Sequence, residues 1–131
     1  MKNHFYRTLI TSLFLLLFSG LLVAKPAPVS DNDASFLQFV EATIHRSDAQ
    51  GGMRIFDPVL QKVWTLKLIK ILPETLRHEG RQTYLVTVQF KSVGNEKDIV
   101  ELLFDVDWEA TIWDLEKVTL HKVNGEVRNH K

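Results

Sequence analysis

Apolar and acidic residues alternate from Asp98 to Trp108 (DIVELLFDVDW). Val100, Leu102, Phe104, Val106 and Trp108 fall on one side of a period-two pattern; Glu101, Asp105 and Asp107 fall on the other, with Leu103 the one interruption. Side chains alternate across a strand, so the segment reads as a strand with a dry face and an acidic, wet face. Gln82–Lys91 alternates in the same way, with Tyr84, Val86, Val88 and Phe90 on one face. Val63–Leu72 (VWTLKLIKIL) changes phase between Leu68 and Ile69, which predicts a bulge or a strand whose two halves are covered from different sides, and Pro73 predicts its end. Leu115–Val123 carries Val118 and Leu120 inward.

A different period precedes these strands. Phe36, Phe39, Val40 and Ile44 are spaced three, four and eight residues from the first, which is the stripe of an amphipathic helix. Asn32 or Asp33 is the expected cap, and Gly51-Gly52 ends the element. Asp57-Pro58 reads as a turn after a short extended piece, Arg54–Phe56. Glu74–Gly80 reads as a polar loop, Ser92–Lys97 and Glu109–Asp114 as reversals, and Asn124-Gly125 as a closing turn.

The expected architecture is α+β: one N-terminal amphipathic helix packed on a four-stranded antiparallel β-meander. Matching dry faces sets Phe90 opposite Val100, Val86 opposite Phe104, Phe104 opposite Leu120 and Val106 opposite Val118. Wet-face partners are then Lys117 with Asp107 and Thr119 with Asp105. This layout resembles the cystatin-like architecture and a cut-down member of the NTF2-like group. The cystatin inhibitors' Gln-Val-Val-Ala-Gly loop has no counterpart, the comparable turn reading Lys91-Ser92-Val93-Gly94-Asn95. The resemblance therefore implies a fold and not protease inhibition.

The amino end adds a compartment. No acid precedes Asp31; Lys2, His4 and Arg7 lead into an apolar run from Leu9 to Ala24, and Lys25-Pro26 breaks it. That is the pattern of a secretory signal peptide over 1–24, followed by a linker over 25–32, a domain over 33–125 and a polar tail over 126–131. The apolar run is shorter than the ~20 residues a spanning helix needs. The expectation is an exported, periplasmic protein with no membrane span after cleavage; the alternative is an inner-membrane anchor made by an uncleaved signal. The chain has no cysteine, which excludes an acylated lipoprotein and any disulfide framework. The whole chain is neutral, and loss of Lys2 and Arg7 leaves a net charge of about −2, which gives no basic face for nucleic acid.

Candidate chemistry is sparse. Glu101, Asp105, Asp107 and Glu109 supply oxygens suited to a hard cation, but they alternate along a length no single ion spans and read as a solvated face. His121 is expected across from Leu103, diagonal to Glu101 and Asp105. A histidine between carboxylates suits a general base or a pH sensor; without a nucleophile it reads as a surface residue. His45, His78 and His130 lie apart with no zinc-type spacing, and no phosphate-binding loop or nucleophile elbow occurs. Trp113, in a reversal, is either a recognition anchor or a cover for one end of the sheet. No cofactor is expected. The leading functional reading is a non-enzymatic module that binds an envelope protein or peptide, through the concave sheet or an edge near Gln82–Lys91. The second is a small-ligand carrier or NTF2-like enzyme with a pocket between helix and sheet, given polarity by Tyr84 or His121.

Overall fold

The computed structural model describes residues 30–128. The expected signal peptide, most of the expected linker and the last three residues of the expected tail lie outside them. Among the described residues, no helix is long and apolar enough to cross a membrane.

Helix α1 spans Asp31–Ala49 and is the first described element. Its cap is Ser30, two or three residues before the expected ones: the hydroxyl accepts a hydrogen bond from the Asp33 N–H at 3.1 Å. Asp33 is engaged instead through its carboxylate, and with Asp31 it places negative charge in the first turn, where the helix dipole favours it. Phe36, Val40 and Ile44 are fully buried, and Phe39 packs at the edge of the same cluster. Gly51 and Gly52 both take positive φ beyond the helix. A Cβ on Gly52 would stand 2.7 Å from the Leu66 carbonyl oxygen, so no other residue fits where the chain passes under the sheet.

Six strands follow: β1 Met53–Asp57, β2 Lys62–Glu79, β3 Thr83–Ser92, β4 Ile99–Glu109, β5 Ile112–Val123 and β6 Glu126–Val127. They form one antiparallel sheet in chain order. The expectation of four strands is therefore corrected to six. Arg54–Phe56 belongs to a strand paired with β2 through Ile55↔Trp64 and Phe56↔Val63, and Glu126–Val127 pairs with the end of β5. The β3 segment, expected as an edge, is central and paired on both sides.

Pro73 does not end β2. Pairing stops at Leu72↔Thr87 and resumes at Arg77↔Leu85, with the intervening residues bulged out. The Thr75 hydroxyl bridges the gap: it donates to the Leu72 carbonyl at 2.6 Å and accepts from the Thr87 N–H at 2.8 Å. A side chain thus supplies the acceptor that the interrupted ladder lacks. The phase change read at Ile69 is a bulge, between the pairs Leu68↔Phe90 and Lys70↔Gln89.

The β3–β4 register is as expected, with Phe90↔Val100 and Val86↔Phe104. The β4–β5 register is not. Phe104 pairs with Val118, Leu102 with Leu120 and Val106 with Leu115. The reversal is a two-residue turn, Ala110-Thr111, which sets Trp108 opposite Trp113. Continuing that register would turn Lys117 inward. Single extra residues at Glu116 and His121 correct the phase, so Val118, Leu120 and Val123 all reach the core. Burial selects the register and the bulges supply it.

Bulges also raise strand twist, and the sheet curls around α1. Phe36, Val40 and Ile44 enter its concave side beside Trp64, Phe90 and Phe104, forming one core. Curling brings the two outer strands together at one end. Arg128, just past β6, reaches Asp57 at the end of β1, with Nη2 3.3 Å from Oδ2 and the side chains 7% and 0% exposed.

Candidate functional site

The turn from β1 to β2 is built on Asp57. Its Oδ1 accepts the N–H groups of Val59 at 2.9 Å and Leu60 at 3.2 Å. Its Oδ2 accepts Trp64 Nε1 at 3.2 Å and Arg128 Nη2 at 3.3 Å. Burial, the largest single influence, pushes this carboxyl's pKa up. The donors from Trp64, Leu60, Arg128 and Val59 together outweigh it and hold the pKa below the ordinary aspartate value. The turn is consequently held in place by a buried, fully engaged carboxylate.

What that turn carries is apolar and exposed. Phe56 is 53% exposed, Val59 65%, Leu60 50% and Val63 47%. Turns are ordinarily polar, and four neighbouring large apolar residues on one hairpin form a contiguous patch of the kind that marks contact sites. Phe56 and Val63 face each other directly across the hairpin.

Beside the hairpin runs a seam. In an antiparallel sheet taken in chain order, β1 and β5 run in the same direction, and the curl brings them to face one another. Among the described residues, β6 pairs with β5 at Lys122 and Val123, and the Arg128 N–H continues that contact by donating to the His121 carbonyl at 2.8 Å. Below this point an open groove of about 360 Å³ lies between Ile55 and Phe56 on one wall and Lys117–Leu120 on the other. Ile55, Val118 and Leu120 belong to the inward side; Phe56, Lys117 and Thr119 belong to the outward side.

The residues singled out in the sequence are divided by the structure. His121 is the extra residue of a bulge, not the partner of Leu103, which pairs with Thr119. Glu101 faces Lys122, Oε2 to Nζ 3.8 Å, and Asp105 faces Lys117, so the two carboxylates expected beside His121 are each matched with a lysine. Burial first, then the charges of Asp107 and Glu79, raise the Asp105 pKa against the opposing pull of Lys117. Tyr84 and Trp113 do come together. Their ring centroids are 4.9 Å apart, edge to face, and Trp113 packs on Trp108 at 4.5 Å while its Nε1 donates to Ser35 Oγ at 2.9 Å. Trp113 therefore folds over one end of the core. Tyr84 is buried beside Phe36 and against the His78 ring, which is 4.3 Å away. His78 lies in β2 rather than in a loop, and its Nε2 stands 2.8 Å from Asp33 Oδ1. Among the described residues, no three acidic or histidine side chains gather as metal ligands.

The hairpin patch and the seam escaped the sequence reading. The signal for the first was present, in the apolar residues crowding both sides of Asp57-Pro58. Arg128 lay in a stretch read as solvated tail, and nothing local distinguishes a buried arginine there.

Comparison with known family models, curated proteins and solved structures finds no match to this chain.

Proposed function

We propose that this protein is an exported, non-enzymatic interaction module of the bacterial envelope, which engages a partner protein or peptide through the β1–β2 hairpin and the adjoining seam. One observation carries the reading: four exposed apolar side chains stand on a turn fixed by a buried aspartate. A rigid apolar platform loses little conformational entropy on docking, which favours affinity per contact. The space between helix and sheet supports the same reading. Phe36, Val40 and Phe104 lie there fully buried in one apolar core, whereas a carrier or NTF2-like enzyme needs a polar-lined cavity.

The test is native mass spectrometry of the mature protein drawn from its host's envelope, beside a Phe56→Glu, Leu60→Glu variant of unchanged thermal stability. A protein adduct on the native chain that the variant loses is the expected result. A small-molecule adduct of constant mass, retained by the variant, overturns the reading in favour of the carrier.

A further inference from the structure

We infer that the tip of the β1–β2 hairpin seats the protein on an anionic lipid bilayer, entering its headgroup layer and turning the acidic end of the sheet away. This goes beyond the interaction reading and does not depend on it. Lipid takes the tip, and the outward flank bearing Phe56 and Val63 stays with the partner protein.

The sheet has two unlike ends. Its strands are antiparallel in chain order, so the β1–β2, β3–β4 and β5–β6 turns lie at one end and the other two turns at the opposite end. Hydrogen bonds tie the first three together. The Val93 N–H donates to the Thr65 carbonyl at 2.9 Å, the Asn124 N–H to the Ile99 carbonyl at 2.8 Å, and Arg128 Nη2 to Asp57 at 3.3 Å. Eight large apolar residues stand exposed among the described ones, and six belong to this end: Phe56, Val59, Leu60, Val63, Val93 and Val127. Of the eight, only Ile112 stands at the opposite end.

Charge is divided the same way. Between residues 53 and 73 the one acid is Asp57, which is buried with Arg128. Arg54 and Lys62 are exposed there, and Lys62 Nζ rests 3.7 Å from the centre of the Trp64 ring. Acids on the neighbouring turns are engaged: Glu96 with Lys91, Asp98 with Asn124, and Glu126 with Arg128. At the opposite end Glu79, Asp107, Glu109, Asp114 and Glu116 gather, against Arg77 and Arg81. An anionic surface therefore attracts the first end and repels the second.

The reach of the hairpin agrees. β3 leaves β2 at Leu66↔Ser92, and the Val93 bond adds Thr65, so residues 62–64 and the turn overhang that flank by about 10 Å. Elements that lie in a membrane interface bury their apolar groups ~5–10 Å deep. Val59 and Leu60 lead the overhang, and Asp57 Oδ1 already accepts both of their N–H groups, which lowers the cost of leaving water. Lys62, behind them, can keep its ammonium at the level of the phosphates.

The test mixes the mature protein drawn from its host's envelope with extruded vesicles and measures co-sedimentation. One set is phosphatidylglycerol and phosphatidylcholine in equal parts, the other phosphatidylcholine alone. Binding to the anionic set is expected to be at least tenfold tighter. Val59→Glu should weaken it at least tenfold and Lys62→Glu at least threefold. Ile112→Glu, at a residue as exposed as Val59 but on the acidic end, should leave it unchanged. Amide exchange should slow at residues 59–63 and not at 110–112. Variants are compared at unchanged thermal stability, with Val59→Ser in reserve should the glutamate fail to fold. Equal binding of both vesicle sets, binding that Val59→Glu spares, or an equal loss in Ile112→Glu overturns the proposal. So does absence of binding; if the envelope adduct then still depends on Phe56 and Leu60, the whole hairpin belongs to the protein partner. Vesicle binding as expected, without that adduct, is the failure of the interaction reading alone.

Discussion

Asp57 and Arg128 form a buried pair whose parts are not interchangeable with surface charges. Two desolvated ions recover their hydration only through each other and their hydrogen bonds, so removing one strands the other. Arg128→Leu should lower stability by about 3–5 kcal/mol, read as a shift in the urea midpoint at pH 7. The pH dependence has a definite sign. The folded Asp57 pKa is depressed, so its contribution is complete above the unfolded value of ~3.9 and is lost as pH falls through the folded value. Asp105 runs the other way. Its folded pKa is raised, so the fold binds a proton there more tightly than the unfolded chain does, and stability drops as pH rises from the unfolded value through the folded one. Asp105→Asn should therefore leave stability unchanged at pH 3 and raise it by about 0–1 kcal/mol at pH 7, since the site is partly exposed and faces Lys117. A variant less stable at pH 7 than the native chain would show that the Lys117 pair outweighs the acidic neighbours.

At the scale of elements, turns and bulges divide the work of setting register. Asn124-Gly125 is a turn whose residues suit their positive φ of 49° and 81°, and Asn124 Oδ1 also accepts the Ile99 N–H at 2.8 Å. Ala110-Thr111 adopts the same left-handed pair, φ 48° and 67°, with side chains that disfavour it, the β-branched threonine above all. Replacing the pair by Asn-Gly should stabilise the protein by about 1–2 kcal/mol in chemical denaturation without altering the β4–β5 register. These cases also explain what the sequence could convey. Period-two runs and the helical stripe reported element type, faces and the β3–β4 register, because burial of Val86, Phe90, Val100 and Phe104 leaves no alternative. They did not reveal that β2 crosses Pro73, because the rescue comes from the Thr75 hydroxyl, a tertiary arrangement with no local signature. Nor did they reveal the β5 bulges, which become necessary only once the turn length is known. The candidate site was less legible still, since the seam exists only when strands far apart in sequence are curled together.

Over the whole molecule, hydrophobic closure dominates. Phe104 and Phe90, with ring centroids 6.4 Å apart, lie fully buried beneath the helix, and Phe104→Ala should cost roughly 3–5 kcal/mol in thermal or chemical denaturation. By contrast the acidic outer face of β4 contributes little to holding the sheet. Its charge is a property of the surface, whereas the outer strands are tied at one end by the buried Asp57–Arg128 pair.

The pair that joins those edges also orders events in time. Asp57 and Arg128 are 71 positions apart, and a chain emerging amino end first presents the acid long before the base. Until then the first hairpin cannot bury its carboxylate without forfeiting hydration, so early compaction around it is penalised. The pair thus ties the first hairpin to the far end of the sheet: three of the donors to Asp57 come from the hairpin itself, and the fourth arrives with Arg128.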